Sequence, residues 1–153
     1  MPPIGNLPEP SNPEYERAVR DSFGRQGLMG TIGAWLVEVK AGRVVIELPY
    51  SQRISQQHGL FHGAVVGAVG DNAGGYAALT LMPAGSEVLT VEYKINFVRP
   101  AQGLLLRAEG QVIKSGRTLT TTRMDVSVLG GAEDGMCAVL QATMMRIEIP
   151  AKR

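Results

Sequence analysis

Residues 63–81 form the longest apolar stretch of the chain and are apolar on nearly every helical face. That pattern predicts a central helix wrapped by other elements, closed by Met82-Pro83-Ala84-Gly85. Elsewhere the period falls to two. Residues 88–98 alternate, which predicts Leu89, Val91, Tyr93, Ile95 and Phe97 on the core side and Thr90, Glu92, Lys94 and Asn96 on the other. Strand-length runs also occupy 30–39, 42–49, 103–114, 118–129 and 135–149, with Ala41-Gly42, Ser115-Gly116-Arg117 and the glycine-rich 130–135 as turns. Residues 13–25 carry helical spacing behind Ser11 or Asn12 as N-cap. The order is helix, two strands, central helix, four strands. One long apolar helix needs a curved sheet to bury it, and antiparallel meanders supply one without crossover helices, so the class is α+β.

With 153 residues and 44% hydrophobic content, the chain fits one domain over 13–150 behind a flexible proline-rich lead, 1–12. Fifteen basic against 14 acidic residues give no global field for nucleic acid or an anionic membrane. Any anionic ligand must be met by local groups. Cys137 is the single cysteine and there are two histidines, which excludes an internal disulfide and argues against a dedicated zinc site. No cofactor is implied. With no apolar run of signal-peptide or membrane-spanning length, the expected setting is the cytoplasm.

One acid, Asp71, interrupts the apolar helix. A charge taken out of water needs a partner or a task; Arg99 and Lys94 are the candidate partners for a structural role. The element order, with His62-Gly63 followed by Asp71, resembles the hotdog-fold acyl-CoA thioesterases of the PaaI type over residues 28–148. In that family an Asn stands six residues before the His of a His-Gly-Gly motif, an acid nine residues after it, and a Ser or Thr on the next strand. The matching positions are Gln56, His62-Gly63, Asp71 and Thr90, the last placed by the similarity of residues 90–101 to the family's strand and turn. Two positions depart from the pattern: Ala64 replaces the second Gly, and Gln56 replaces Asn.

The resemblance implies an antiparallel curved sheet wrapped around one long helix, and hydrolysis of a hydrophobic acyl-CoA, medium-chain, long-chain or aromatic. Asp71 would be general base or nucleophile, and Gly63, at the helix start, the amide donor to the oxyanion. Gln56 and Thr90 would orient water and the acid, and His62 would position the helix entrance. His58, Arg99, Gly116 and Arg117 are carried over as substrate contacts, with Lys114-Ser115-Gly116-Arg117-Thr118 offering amides and cations to phosphates. Gly75 belongs with Gly67, Gly74 and Ala78 to a small-residue face beside Asp71, open to an acyl chain or a partner helix.

Gly63 and Asp71 are eight residues apart, about 12 Å along a helix axis. One reacting carbon cannot touch both groups of a single chain. If both act on one thioester they come from two subunits, which predicts a homodimer with composite sites, free to pair again as a dimer of dimers. Competing functions are a non-catalytic acyl-CoA binding module and a hotdog dehydratase or hydratase, which would use a catalytic His.

Overall fold

The computed structural model describes residues 6–148. Its helices are α1 (Tyr15–Gly24), α2 (Gly27–Ile32) and α3 (Gly63–Leu79), and its strands are β1 (Trp35–Lys40), β2 (Arg43–Pro49), β3 (Ser86–Phe97), β4 (Leu105–Ser115), β5 (Leu119–Leu129) and β6 (Gly135–Glu148). All six strands join one sheet in the order β1-β2-β4-β5-β6-β3, every neighbouring pair antiparallel. The sheet curls around α3, the α+β arrangement expected.

Val66, Val69, Ala73 and Ala77 of α3 are buried in one core with Ile46, Leu48, Leu106, Ala108, Val126 and Leu140 from the strands. At about 25 cal/mol per Å² of apolar surface removed from water, this clasp is the main stabilising term. Two glycines set its depth. A Cβ on Gly110 would stand 2.2 Å from the Ala73 carbonyl oxygen, and one on Gly74 would stand 2.4 Å from the Met124 sulfur. Helix and sheet therefore touch at backbone distance. Gly74 faces the sheet and Gly67 faces Tyr93 and Ile95, so the small residues mainly seat α3 on its own sheet. Gly75 alone of those glycines lines the open space beside Asp71.

Three expectations need correction. Residues 27–32 form α2 where a strand from 30 was expected, because Leu28, Met29 and Ile32 carry helical spacing. Gly33, at φ 82°, ends it by donating to the Met29 carbonyl. The central helix closes at Leu79, two residues early. The third correction concerns β3: its register against β6 shifts between Thr90 and Glu92. A β-bulge at Val91 inserts one extra residue and reverses the alternation. Val88 and Thr90 on one side of the bulge, and Tyr93, Ile95 and Phe97 on the other, all reach α3. Leu89 and Val91 are half exposed, outside the core.

Among the described residues the two edges of the sheet are β1 and β3, and β3 pairs with β6 alone. Leu89, Val91, Tyr93, Phe97 and Val98 are all exposed along that edge and its continuation. Within the lead, Leu7 packs against the core beside Gly42 and Leu81; residues 1–5, and the expected ends of the last strand and domain at 149 and 150, lie outside the described residues. No helix among the described residues is long and apolar enough to cross a membrane.

Candidate active site

Helix α3 and strand β3 run in opposite directions, so successive contacts pair along their length. Gly63 meets Phe97, Gly67 meets Tyr93, Asp71 meets Thr90 and Gly75 meets Val88. Two clefts open beside this ladder, one at each end.

At the N-terminal end, Ser55 bridges Phe61, and the Phe61 amide donates to the Ala101 carbonyl at 3.0 Å. These contacts deliver His62 in extended backbone as the N-cap of α3, its Nδ1 accepting from the Ala64 amide at 3.0 Å. His62 thus serves as the helix cap, its ring satisfying one of the first-turn amides. The Gly63 amide has no acceptor within the described chain and points from the positive end of the helix. Gln56, Gly63, Phe97, Val98, Arg99 and Pro100 line a cleft of about 500 Å³ with it. Gln56 is folded back: its Oε1 accepts from the His58 amide, and its carbonyl accepts from Gly59. That contact stabilises the loop and aims the Gln56 carboxamide at its own chain. His58 itself is exposed and outside the cleft lining. Arg99 lies over Gly135 and donates to the Asp134 carbonyl at 3.3 Å.

Farther along, the Thr90 hydroxyl donates to Asp71 Oδ1 at 2.8 Å. The bulge makes this contact available. Neither Arg99 nor Lys94 pairs with Asp71, and no cation among the described residues forms an ion pair with it. Burial pushes the Asp71 carboxyl up from its ordinary pKa, and the Thr90 hydrogen bond offsets part of the rise. A half-buried carboxylate with one neutral donor and free access is a better proton acceptor than an ordinary aspartate. Asp71, Asn72, Gly75, Tyr76, Val88, Leu89 and Thr90 line a second cleft, of about 340 Å³.

Ser22, Gln26 and Glu87 complete that cleft, and sequence reading passed over all three. Ser22 and Gln26 are ordinary polar positions at the end of a surface helix and after it. Their role depends on α1 and α2 folding back over α3, and that packing carries no motif. Gly116 and Arg117 sit at the exposed β4–β5 turn, where the Gly116 amide donates to the Leu119 carbonyl at 2.9 Å. They line neither cleft. Cys137 is buried, donates to the Val126 carbonyl, and has its thiol pKa raised by burial; it is not a poised nucleophile. Among the described residues no three His, Cys, Asp or Glu side chains converge as metal ligands.

The chain thus presents an unpaired helix-end amide and, about two turns along the same helix, a half-buried carboxylate, within a fold shared by known proteins. The thioesterase superfamily's sequence model matches residues 58–134, the span holding both groups. A thioesterase family protein from Silicibacter pomeroyi superposes with a TM-score of 0.85 at 41% identity, covering 88% of this chain and 98% of that one. The PaaI protein of E. coli, from the phenylacetic acid degradation operon, shares the fold at a TM-score of 0.78 and 17% identity, over 90% of this chain and 96% of that one. The 1,4-dihydroxy-2-naphthoyl-CoA hydrolase of Listeria monocytogenes is 25% identical over 72% of this chain and 89% of its own length. Fold and sequence agree: the chain belongs to the thioesterase superfamily and is a hotdog-fold thioester hydrolase.

Proposed function

We propose that this enzyme hydrolyses acyl-CoA thioesters with a hydrophobic acyl body, aromatic or medium-chain, as a cytoplasmic homodimer with two composite sites. The observation that carries the reading is the Thr90-held carboxylate of Asp71, without a neutralising cation, in an open cleft. Each site takes Asp71 and Thr90 from one subunit and the Gly63 amide from the other, because about 12 Å of helix separates them within a chain. Water attacks the thioester carbon as Asp71 removes its proton. The carbonyl oxygen becomes anionic against the partner's Gly63 amide and the positive helix end. Collapse breaks the C–S bond, releasing the acid and the coenzyme thiolate, which then takes up a proton. Direct attack by Asp71, through a mixed anhydride that water opens, fits the same contacts. Arg99 beside the Gly63 cleft supplies a cation for the coenzyme phosphates.

The exposed apolar β3 edge supports the pairing, since an edge strand open on one side and carrying Leu89, Val91, Tyr93 and Phe97 invites a second copy. The aromatic option is supported by the aromatic acyl-CoA named for the Listeria relative. Thiol release from short, medium, long and aromatic acyl-CoAs, measured beside Asp71→Ala, tests the proposal. The expected result is turnover of one acyl class that falls by about a hundredfold or more in the variant. Turnover indifferent to Asp71 would remove the carboxylate from the mechanism.

A further inference from the structure

The Thr90 hydroxyl has one proton and two acceptors within reach. Asp71 Oδ1 lies 2.8 Å from Thr90 Oγ, and the Met144 sulfur lies 3.5 Å from it. A thioether is a weak acceptor and a carboxylate a strong one, so the proton rests with Asp71 while the acid is ionised. The register explains where the sulfur sits. Thr90 stands directly opposite Met144 in the β3–β6 ladder, and both side chains point toward α3. A Cβ on Gly75, one turn beyond Asp71, would stand 4.0 Å from the same sulfur. Met144 is fully buried and lines neither cleft, so no water competes for its sulfur and no substrate touches it. A comparable contact lies elsewhere in the core, where the Thr122 hydroxyl donates to the Met124 sulfur at 3.4 Å. Thr122 makes no bond to a carboxylate within the described chain; at Thr90 one proton must choose between a charged oxygen and a sulfur.

We infer that Met144 is a positioning residue for the proposed hydrolysis, its sulfur being the second acceptor that takes the Thr90 hydroxyl proton when Asp71 becomes protonated. The inference rests on the reading of Asp71 as the reacting base. While Asp71 is ionised, the bond it receives from Thr90 is charge-assisted and roughly twice as strong as a neutral one. Once Asp71 has taken a proton from the attacking water, that advantage is gone, and the Thr90 hydroxyl turns about its Cβ–Oγ bond toward the sulfur. No covalent bond to Thr90 changes: the proton Asp71 gains is the water's, and the proton Thr90 carries stays on Thr90. The second acceptor thus eases the protonated state and keeps Thr90 from locking the carboxylate in its ionised form. Asp71 is then a stronger base than Thr90 alone would permit. The other ionisable groups around it are Tyr76 and Glu87, which line the same cleft, Arg25, which holds Glu87 at 3.0 Å, and Arg146, opposite Val88 and paired with Glu148. None forms a hydrogen bond or ion pair with Asp71 within the described chain, and a change at residue 144 leaves each in place.

The test is a pH profile of kcat/KM for Met144→Leu, a swap of nearly equal volume that removes the acceptor, beside Thr90→Val and the double variant. In Met144→Leu the Thr90 proton is given wholly to Asp71 and favours its ionised form. The acid limb is therefore expected to move to lower pH and kcat to fall by about threefold, with KM within about twofold of wild type. Thr90→Val moves the limb the other way, and loosened packing alone would not drive two neighbours of one contact in opposite directions. In the Thr90→Val background no proton remains to be shared, so adding Met144→Leu should leave the limb where Thr90→Val alone puts it. The carboxyl carbon chemical shift of Asp71, followed by NMR against pH in the same proteins, reads the displacement without turnover. Should leucine not pack, Met144→Ile, which suits a strand and also lacks an acceptor, takes its place. A limb and titration unmoved or raised by Met144→Leu, or moved equally with and without the Thr90 hydroxyl, overturns the inference. Asp71→Ala separates the two claims: full turnover in that variant defeats the reading of Asp71 as base, while the NMR titration still decides whether Met144 shares the proton.

Discussion

Asp71 and Thr90 meet as one carboxylate and one neutral donor, and the balance between burial and that single bond sets the pH behaviour. The proposed reaction needs the ionised acid, and burial raises its pKa, so kcat/KM should fall as pH drops through a value above that of an ordinary aspartate. Thr90→Val removes the contribution that lowers the pKa. Its acid limb should therefore move to higher pH, while Thr90→Ser leaves the limb in place; a pH profile of both variants checks this. Stability follows from the same shift. A raised folded pKa means that the native state binds more protons than the unfolded chain in the window between the two values, so ionisation there destabilises the fold. Asp71→Asn removes that loss and should exceed wild type in urea midpoint at neutral pH, with the difference vanishing below the ordinary aspartate pKa. Asp71 stood out in the sequence because a lone acid in an apolar helix is chemically anomalous. Ser22 and Gln26 did not, since a polar residue on a surface helix is the ordinary case and only the tertiary path of α1 brings them to Tyr76.

Among the elements, α3 was legible because its apolar character has one solution, a buried helix in a curved sheet. β3 was legible as a strand yet read with its faces wrong at one end, because strict alternation assumes an unbroken ladder and the bulge at Val91 breaks it. α2 was missed because its two glycines and six-residue length weaken the helical signal below that of a strand. The seating of α3 gives a sharp contrast in stability. Gly110→Ala drives a methyl into the Ala73 backbone, which cannot yield, and should cost more than about 2 kcal/mol in urea denaturation. Gly74→Ala meets the flexible end of Met124 and the Thr122 hydroxyl. It gains roughly 1 kcal/mol of helix propensity, so its loss should be distinctly smaller. At the helix start, Gly63→Pro deletes the amide and sets a Cβ 3.2 Å from the Phe97 ring, so Gly63→Ala, which adds the same Cβ and keeps the amide, is its control. Proline suits the first helical position, and His62, at φ −65° and ψ 136°, already has the backbone that precedes a proline. The melting temperature should hold within a few degrees while kcat falls about 100-fold or more, the usual effect of losing an oxyanion donor.

At the scale of the molecule, composite sites make a quantitative claim. In a heterodimer of Asp71→Ala with Gly63→Pro, one site collects both defects and the other collects none. Each variant alone should be nearly dead, yet subunits mixed and exchanged to equilibrium should recover about a quarter of wild-type activity, because about half the dimers are mixed and each keeps one sound site. No recovery would place both groups in the same chain's site or outside the reaction. The position of β3 carries a further consequence, for the order in which the protein is made. Among the described residues its strand partner is β6, which follows β4 and β5 in the chain, so during synthesis β3 must wait for both to emerge before its register is fixed. A nascent chain halted before residue 135 contains Asp71 and Thr90 but lacks the neighbour that aligns them. The aligned pair therefore forms only after β6 has emerged, and a waiting apolar strand is the segment such a chain most needs to have shielded.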